Sequence, residues 1–290
     1  MHNFCTCQCK KTVNLYIFAS QILHKMKLLS ILFIGLITIQ LTSAQGFEVS
    51  PVVLEYKVEP SNAETKNIMV TNHGNKRQAF SMGLRDFERD SSGAKQYMEA
   101  GSSKNSLSRW ITVSPSYIEI NPNESKDIGI TVTVPHRDYS TKWAILTIKA
   151  VQVRTSFEAD KTVRTGILIT PTIAVNIYQS PSSSSNYKAQ LSDFKEVTKE
   201  GDEYRTMKVI INNTGGKKID CRLNLIIADV ETAKERKMSP KKFYTLPGER
   251  RVVTLKLPND LEPGVYSVAA VLDYGHRTAL EGIQTIIEVK

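Results

Sequence analysis

The sequence predicts an all-β protein in which two immunoglobulin-like β-sandwich domains follow one another behind an N-terminal signal peptide. Three observations support this prediction. Apolar and polar residues alternate with a period of two from Phe47 onward, which is typical of half-buried strands. Turn sequences rich in Asn, Gly and Pro separate the alternating runs. The chain also repeats itself once on the scale of a domain.

The internal repeat defines two similar modules. Residues 65–84 contain an alternating run, an asparagine turn and a second run, and residues 206–225 show the same order. Residues 118–135 are echoed by residues 243–258, and both segments end in a strand followed by proline. The first copy carries an additional polar stretch at residues 85–109. We therefore expect two related sandwiches, the first with an enlarged loop.

Each module is expected to contain about seven short strands, the number typical of an immunoglobulin-like sandwich. A serine-rich hinge at residues 180–186 separates domain 1 (residues 45–179) from domain 2 (residues 187–290), because a serine run has no apolar face to bury. The predicted strands lie near residues 47–58, 66–72, 78–87, 110–120, 126–134, 143–153 and 163–178 in the first module, and near residues 188–198, 204–213, 218–229, 242–246, 250–257, 264–273 and 281–289 in the second.

Residues 26–44 have the layout of a secretory signal peptide. Lys25 and Lys27 supply the positive charge, residues 28–41 form the apolar run, and small residues end at Ala44, where we expect cleavage. A membrane anchor fits less well, because a spanning helix needs roughly 20 apolar residues. We expect export to the periplasm, with the cell surface or secretion as alternatives.

Residues 1–25 are interpreted as a mis-called upstream extension, because export signals begin close to their initiator and Met26 is the better start. Cys5, Cys7 and Cys9 lie in this segment, one residue apart each time. Zinc-binding pairs have a wider gap, so we expect no metal site there.

Composition limits the class of partner. The formal net charge is +9, but part of it lies in the leader, and no basic-aromatic motif follows. Nucleic acid is therefore not expected as a partner. No later segment is long and apolar enough to anchor the chain in a membrane. Cys221 is the only cysteine beyond the leader, and its alternating neighbours Ile219 and Leu223 are apolar, so we expect a buried thiol and no disulfide.

The sequence contains none of the common catalytic motifs. His73, His136 and His276 are the histidines beyond the leader, and none accompanies a Gly-x-Ser-x-Gly or a His-Glu-x-x-His sequence. Residues 86–93 only loosely approach a calcium-binding loop. We therefore expect no enzymatic activity, no cofactor and no metal.

The long strand at residues 166–178 is the first candidate binding site. Pro171 lacks an N–H and therefore indicates an edge or a bulge. An apolar edge strand needs a partner, which an incoming client strand would supply by β-strand addition. Ordinary core packing is the alternative explanation of the same alternation. The predicted client-strand contacts are Ile167, Ile169, Thr172, Ile173 and Val175.

The polar stretch at residues 85–109 is the second candidate. It is either a plain surface loop, with one helical turn near residues 95–99, or a binding loop carried by the rigid sandwich. If it binds, the predicted contacts are Asp86, Glu88, Arg89 and Tyr97.

The order of these segments resembles the periplasmic pilus-assembly chaperones of the PapD-like superfamily. The resemblance lies in the opening strand at residues 47–58, the Pro-x-Glu turn at Pro122, the aromatic-led strand from Trp143 and the long strand before the hinge. It implies a chaperone that holds an exported envelope or fimbrial subunit along residues 166–178. The family's basic pair for a client carboxylate is not matched, because Thr172 lies about where its lysine is expected.

The pattern is also similar to the paired modules of WxL-interacting surface proteins. This second resemblance implies a secreted or surface module that binds an envelope protein or cell-wall polymer through domain 1 loops. Those proteins normally end in a membrane-spanning helix, whereas this sequence ends in a predicted strand at residues 286–290.

Overall fold

The computed structural model describes residues 46–151, 170–275 and 280–290. Within these ranges the chain is all-β, as predicted, with one 3₁₀ turn at Ser108–Trp110 and no helix long and apolar enough to cross a membrane. The strands are β1 (Phe47–Ser50), β2 (Val53–Tyr56), β3 (Ala63–Asn72), β4 (Gln78–Arg89), β5 (Lys95–Glu99), β6 (Ile111–Ser114), β7 (Tyr117–Ile120), β8 (Ser125–Thr133), β9 (Lys142–Val151), β10 (Thr172–Gln179), β11 (Ala189–Glu196), β12 (Thr206–Asn213), β13 (Ile219–Asp229), β14 (Glu235–Lys237), β15 (Lys241–Thr245), β16 (Arg250–Lys256), β17 (Gly264–Asp273) and β18 (Glu281–Val289).

Strands β1–β10 form the first module. One sheet has the order β1-β3-β8-β6, and the facing sheet has the order β2-β10-β9-β4-β5 with β7 paired to β4. Alternate side chains of both sheets point inward and are fully buried, among them Ile68, Val70, Phe80, Leu146 and Ile148. This apolar layer between two sheets is the core of the sandwich.

Two predicted strands are each divided between the two sheets. The segment predicted as one strand at residues 47–58 breaks at Pro51, so that β1 pairs with β3 and β2 pairs with β10. The segment predicted at residues 110–120 breaks at Pro115, so that β6 pairs with β8 and β7 with β4. Proline has no N–H to donate to a strand ladder, and in both places the chain crosses from one sheet to the other at the proline.

Strands β11–β18 form the second module. One sheet has the order β11-β12-β16, and the other has the order β14-β13-β17-β18 with β15 paired to β13. Their inward side chains, including Val209, Ile211, Leu223, Val268 and Leu272, are fully buried in a separate core. The sequence did not predict β14, which is only three residues long and fully exposed. The two sandwiches match the predicted tandem, while the residue-level domain boundaries stay predictions.

The two asparagine turns identified as a repeat have the same hydrogen bonds in both modules. The Asn72 side-chain amide donates to Lys76 O at 2.8 Å, and its carbonyl accepts from Gly74 N at 2.9 Å. The Asn213 amide donates to Lys217 O at 2.8 Å, and its carbonyl accepts from Gly215 N at 3.1 Å. Both side chains are buried, so each closes its turn from inside the module. The sequence repeat is therefore a structural repeat.

Cys221 is buried on β13, as predicted, and burial raises the pKa of its thiol to about 12. Almost no reactive thiolate exists at pH 8, because the raised pKa keeps the sulfur protonated. We expect N-ethylmaleimide to label Cys221 only after the chain is unfolded in denaturant. Peptide mapping by mass spectrometry measures the labelling of Cys221 separately from that of the other cysteines. Rapid labelling of Cys221 in the folded chain would contradict the prediction.

Candidate functional site: the open edge of the long strand

Strand β10 is paired along its whole length on one side and along half its length on the other. All of Thr172–Gln179 pairs antiparallel with β9. Only residues 176–179 pair with β2, which runs parallel and begins opposite Asn176. Among the described residues, no strand pairs with residues 172–175 on the β2 side. Within the described residues, this half of β10 is therefore an open sheet edge.

The backbone groups that face the open side follow from the neighbouring hydrogen bonds. Ala150 N donates to Pro171 O at 3.2 Å, so the carbonyl of residue 171 points toward β9. Asn176 N donates to Val52 O at 2.9 Å, so the N–H of residue 176 points the other way. Because direction alternates along a strand, Thr172 and Ala174 present their N–H and C=O groups to the open side. Such a row is a template for an incoming strand.

The predicted side-chain contacts on β10 differ in exposure. Thr172 is exposed, Ile173 is partly buried against the first-module core, and Val175 is fully buried within it. Ile167 and Ile169 lie outside the described residues. Val175 thus fits the alternative of ordinary core packing, and what β10 offers a partner at residues 172–175 is chiefly its backbone edge.

Two exposed valines lie beside the open edge. Val52 and Val53 are each 46% exposed at the start of β2, and Val53 is the register partner of Asn176. An extended segment paired with Thr172 and Ala174 would contact the two valine side chains at its end, where β2 begins to pair with β10. The open edge therefore combines unpaired backbone groups with apolar surface, the combination that strand addition uses.

The polar stretch at residues 85–109 is a hairpin followed by a loop, and the helical turn predicted near residues 95–99 is wrong. Strand β5 pairs with β4 throughout that segment. Asp90 Oδ1 accepts from Ser92 N at 2.9 Å and from Ala94 N at 3.0 Å, and Gly93 has φ +86°. An aspartate turn followed by a glycine with positive φ is typical of a β-hairpin. Because most residues of the stretch are polar, the sequence alone predicted a loop there.

The four predicted loop contacts separate into two exposed and two buried residues. Glu88 and Tyr97 are exposed, the latter by 53%. Asp86 is fully buried, and its carboxylate accepts from Ser103 N, Ser106 Oγ and Ser108 Oγ at distances of 3.0, 2.8 and 2.6 Å. The Arg89 side chain is 6% exposed and bonds within the protein. Asp86 and Arg89 therefore organise the structure internally, which corrects their interpretation as surface contacts.

Sequence reasoning missed Lys95, the basic residue beside the long strand. Its ammonium donates to Asn176 Oδ1 and lies 4.9 Å from the centre of the Phe87 ring. Burial, and then the charge of Arg89, lower the pKa of Lys95. The signal that could have found it is the alternation of residues 95–99 after the Asp90 turn, which predicts a strand folding back on β4.

A polar cavity of about 430 Å³ lies at the junction of the two modules. Lys57 and Lys217 line it, together with Lys218, whose ammonium is 2.7 Å from Glu55 and 3.3 Å from Asp220. Burial lowers the pKa of Lys217. The positive charges here are thus partly matched by carboxylates that belong to the protein.

Within the described ranges, no group of three His, Cys, Asp or Glu side chains is arranged to hold a metal ion. His73 Nε2 lies 3.0 Å from Glu48, and His136 Nδ1 lies 3.0 Å from Ser61 Oγ, at separate exposed places. His276 lies outside the described residues. Among the described residues, the feature that stands out is the backbone edge of β10 at residues 172–175.

No protein-family model and no curated protein matches this chain. The solved structures similar to this chain include fimbrial chaperones. One neighbour belongs to a chaperone–tip adhesin complex of CFA/I fimbriae biogenesis, with 15% identity over 83% of this chain and 98% of that chain, and a TM-score of 0.46. The class 5 fimbriae chaperone CfaA shows 13% identity over 84% and 99%, with a TM-score of 0.44. The CsuC–CsuE chaperone–tip subunit complex of Acinetobacter baumannii shows 13% identity over 83% and 98%, with a TM-score of 0.41. At these identities and TM-scores, what the chain binds has to be inferred from its own geometry.

Proposed function

We propose that this chain is a non-enzymatic, periplasmic chaperone-like protein that holds an exported envelope or fimbrial subunit by strand addition along β10. The observation that carries the proposal is the open edge at residues 172–175, where β10 is paired on one side only among the residues that the structure describes. A subunit that lacks a strand of its own would complete its sheet there, and the same contact would cover an edge otherwise prone to aggregation.

The geometry also limits where the client strand lies. Strand β2 occupies the edge of β10 from Asn176 onward, so an incoming strand has to end near Val52. Its ladder would use the N–H and C=O groups of Thr172 and Ala174. Main-chain bonds would supply much of the affinity, and the exposed valines beside the edge would contact the client's side chains.

Replacing both Thr172 and Ala174 with proline tests the proposal. Proline removes the two N–H groups that face the open side, while the ladder to β9 uses the groups of Ile173 and Val175. We expect recovery of the co-purified subunit from a periplasmic extract to fall at least about tenfold, because two ladder bonds of about 1 kcal/mol each are lost and the proline rings obstruct pairing. Circular dichroism should show an unchanged fold.

The matched control is Ile173→Pro, which removes an N–H that faces β9. This variant should lower the melting temperature, because it breaks a ladder bond inside the sheet. Undiminished recovery of the subunit by the folded Thr172→Pro, Ala174→Pro double variant would refute strand addition at this edge.

Binding through domain 1 loops is the competing function, and it loses support because Asp86 and Arg89 are buried. Tyr97→Ala in the same extract distinguishes the two, since Tyr97 is the most exposed aromatic residue of the hairpin. A loss of partner with Tyr97→Ala, combined with full retention by the proline variant, would favour the loop surface instead.

A further inference from the structure

The tip of the β4–β5 hairpin leaves the first module and lies on the second. Ser91 O accepts from Val252 N on β16 at 2.7 Å. The Arg89 guanidinium donates to Tyr244 O at 3.0 Å, lies 4.1 Å from the centre of the Tyr244 ring, and is 3.4 Å from the carboxylate of Glu249. The hairpin therefore binds the second module through both its backbone and its side chains.

The bond from Val252 closes an edge of the second module. Strand β16 pairs with β12 on one side and ends its sheet on the other. The N–H of Val252 points away from β12, since it donates to Ser91 O. The hairpin tip thus pairs a backbone group that would otherwise be exposed at a sheet edge.

Gly93 allows this docking to be close. A side chain at this position would occupy the place of the Arg251 guanidinium, so any residue other than glycine would displace that guanidinium. Gly93 also has φ +86°, which disfavours other residues.

Lys95, which pairs with Arg89 next to the hairpin tip, contacts the strand that carries the open edge. Lys95 donates to Asn176 on β10 and packs over Phe87. Phe87 belongs to a buried cluster in which Tyr178 of β10 and Leu246 of the second module also take part. One hairpin therefore contacts β10 and the second module at the same time.

We propose that the β4–β5 hairpin is a strap that fixes the second module against the first and ties its position to β10. The proposal stands on the hairpin contacts and does not require that the open edge binds a client. Two sandwiches joined by a short connection otherwise move relative to one another unless their interface is large and apolar. The contacts at the hairpin tip are polar and directional, and they would oppose such motion.

Gly93→Val in the full exported chain tests the strap, because its side chain would displace the Arg251 guanidinium and strain the hairpin tip at φ +86°. Val252→Pro is an independent variant that leaves the hairpin sequence intact and removes the N–H that donates to Ser91. The unaltered chain should unfold in a single calorimetric transition, and each variant should show two. Small-angle scattering should show a larger radius of gyration for both variants.

Gly201→Val is the matched control. Gly201 has φ +89°, close to the value at Gly93, but a Cβ there would meet nothing within 4 Å. Its backbone strain is therefore similar, and it should keep a single transition and an unchanged radius. Two transitions in the unaltered chain, one transition in both strap variants, or separation in the Gly201→Val control would each overturn the proposal.

Discussion

Replacing Asp86 with alanine is expected to lower the free energy of unfolding by about 3 to 5 kcal/mol. The carboxylate is fully buried and accepts hydrogen bonds from Ser103 N, Ser106 Oγ and Ser108 Oγ. Each buried donor left without a partner costs about 1 to 3 kcal/mol, and the three losses do not add fully because they share one site. Urea unfolding of the variant and the unaltered chain measures the difference.

Glu88→Ala is the control for this prediction. Glu88 lies two residues along the same strand, but its side chain is exposed, so we expect a change within about 0.5 kcal/mol. Asp86→Asn keeps one acceptor oxygen and should give an intermediate loss. A loss at Asp86→Ala as small as that at Glu88→Ala would show that the loop after β5 does not depend on this carboxylate.

The strands and the twin modules could be predicted because their signals are local. Alternation with a period of two fixes which residues face a core, and the buried residues of β3 and β13 follow it. Asn72 and Asn213 could be matched because an asparagine side chain that bonds to its own turn requires that residue type. Cys221 could be placed in the core from its apolar strand neighbours.

The roles of residues 85–99 could not be predicted, because they depend on what the hairpin touches. Asp86, Glu88 and Arg89 look alike as a charged run, yet only Glu88 is exposed. The partners that bury Asp86 come from the loop beyond β5, and those that bury Arg89 come from the second module. Lys95 reaches β10 because β5 pairs with β4 and the Lys95 side chain passes over the Phe87 ring to Asn176. Local patterning carries no information about such distant contacts.

The sequence predicted a binding edge along residues 166–178, and which part of that strand is unpaired could not be predicted. Pro171 indicated either an edge or a bulge, but its carbonyl faces β9, so this residue does not itself mark the open side. The sequence could not show that β2 would cover residues 176–179 and leave residues 172–175 unpaired. That division arises from the break at Pro51, which moves the second half of the opening strand onto the other sheet.

Replacing Arg89 with methionine is expected to lower the free energy of unfolding by about 3 to 5 kcal/mol at pH 8. Methionine keeps much of the apolar stem but leaves the Glu249 carboxylate buried without its partner, and breaking a buried pair in this way is strongly destabilising. The variant also loses the bond to Tyr244 O and the contact with the Tyr244 ring.

The loss should depend on pH in a defined direction. Burial raises the pKa of Glu249 above its ordinary value of 4.5, against the opposing effects of the Leu246 N–H and of Arg89 and Arg251. Removing Arg89 takes away one opposing charge, so the pKa rises further. A carboxyl whose pKa is raised in the folded state does not destabilise the fold below its unfolded-state pKa. The stability is lost as the pH rises through the folded-state pKa, because the buried carboxyl then ionises. The Arg89→Met variant should therefore lose less stability at pH 5 than at pH 8.

Adding Glu249→Gln to the Arg89→Met variant isolates the carboxylate. Glutamine cannot ionise, so the double variant should lose the pH dependence and be more stable than Arg89→Met alone at pH 8. Urea unfolding at both pH values measures the two effects together. Equal losses for Arg89→Met at pH 5 and pH 8 would show that the lost contacts with Tyr244, and not an unpaired buried carboxylate, account for the destabilisation.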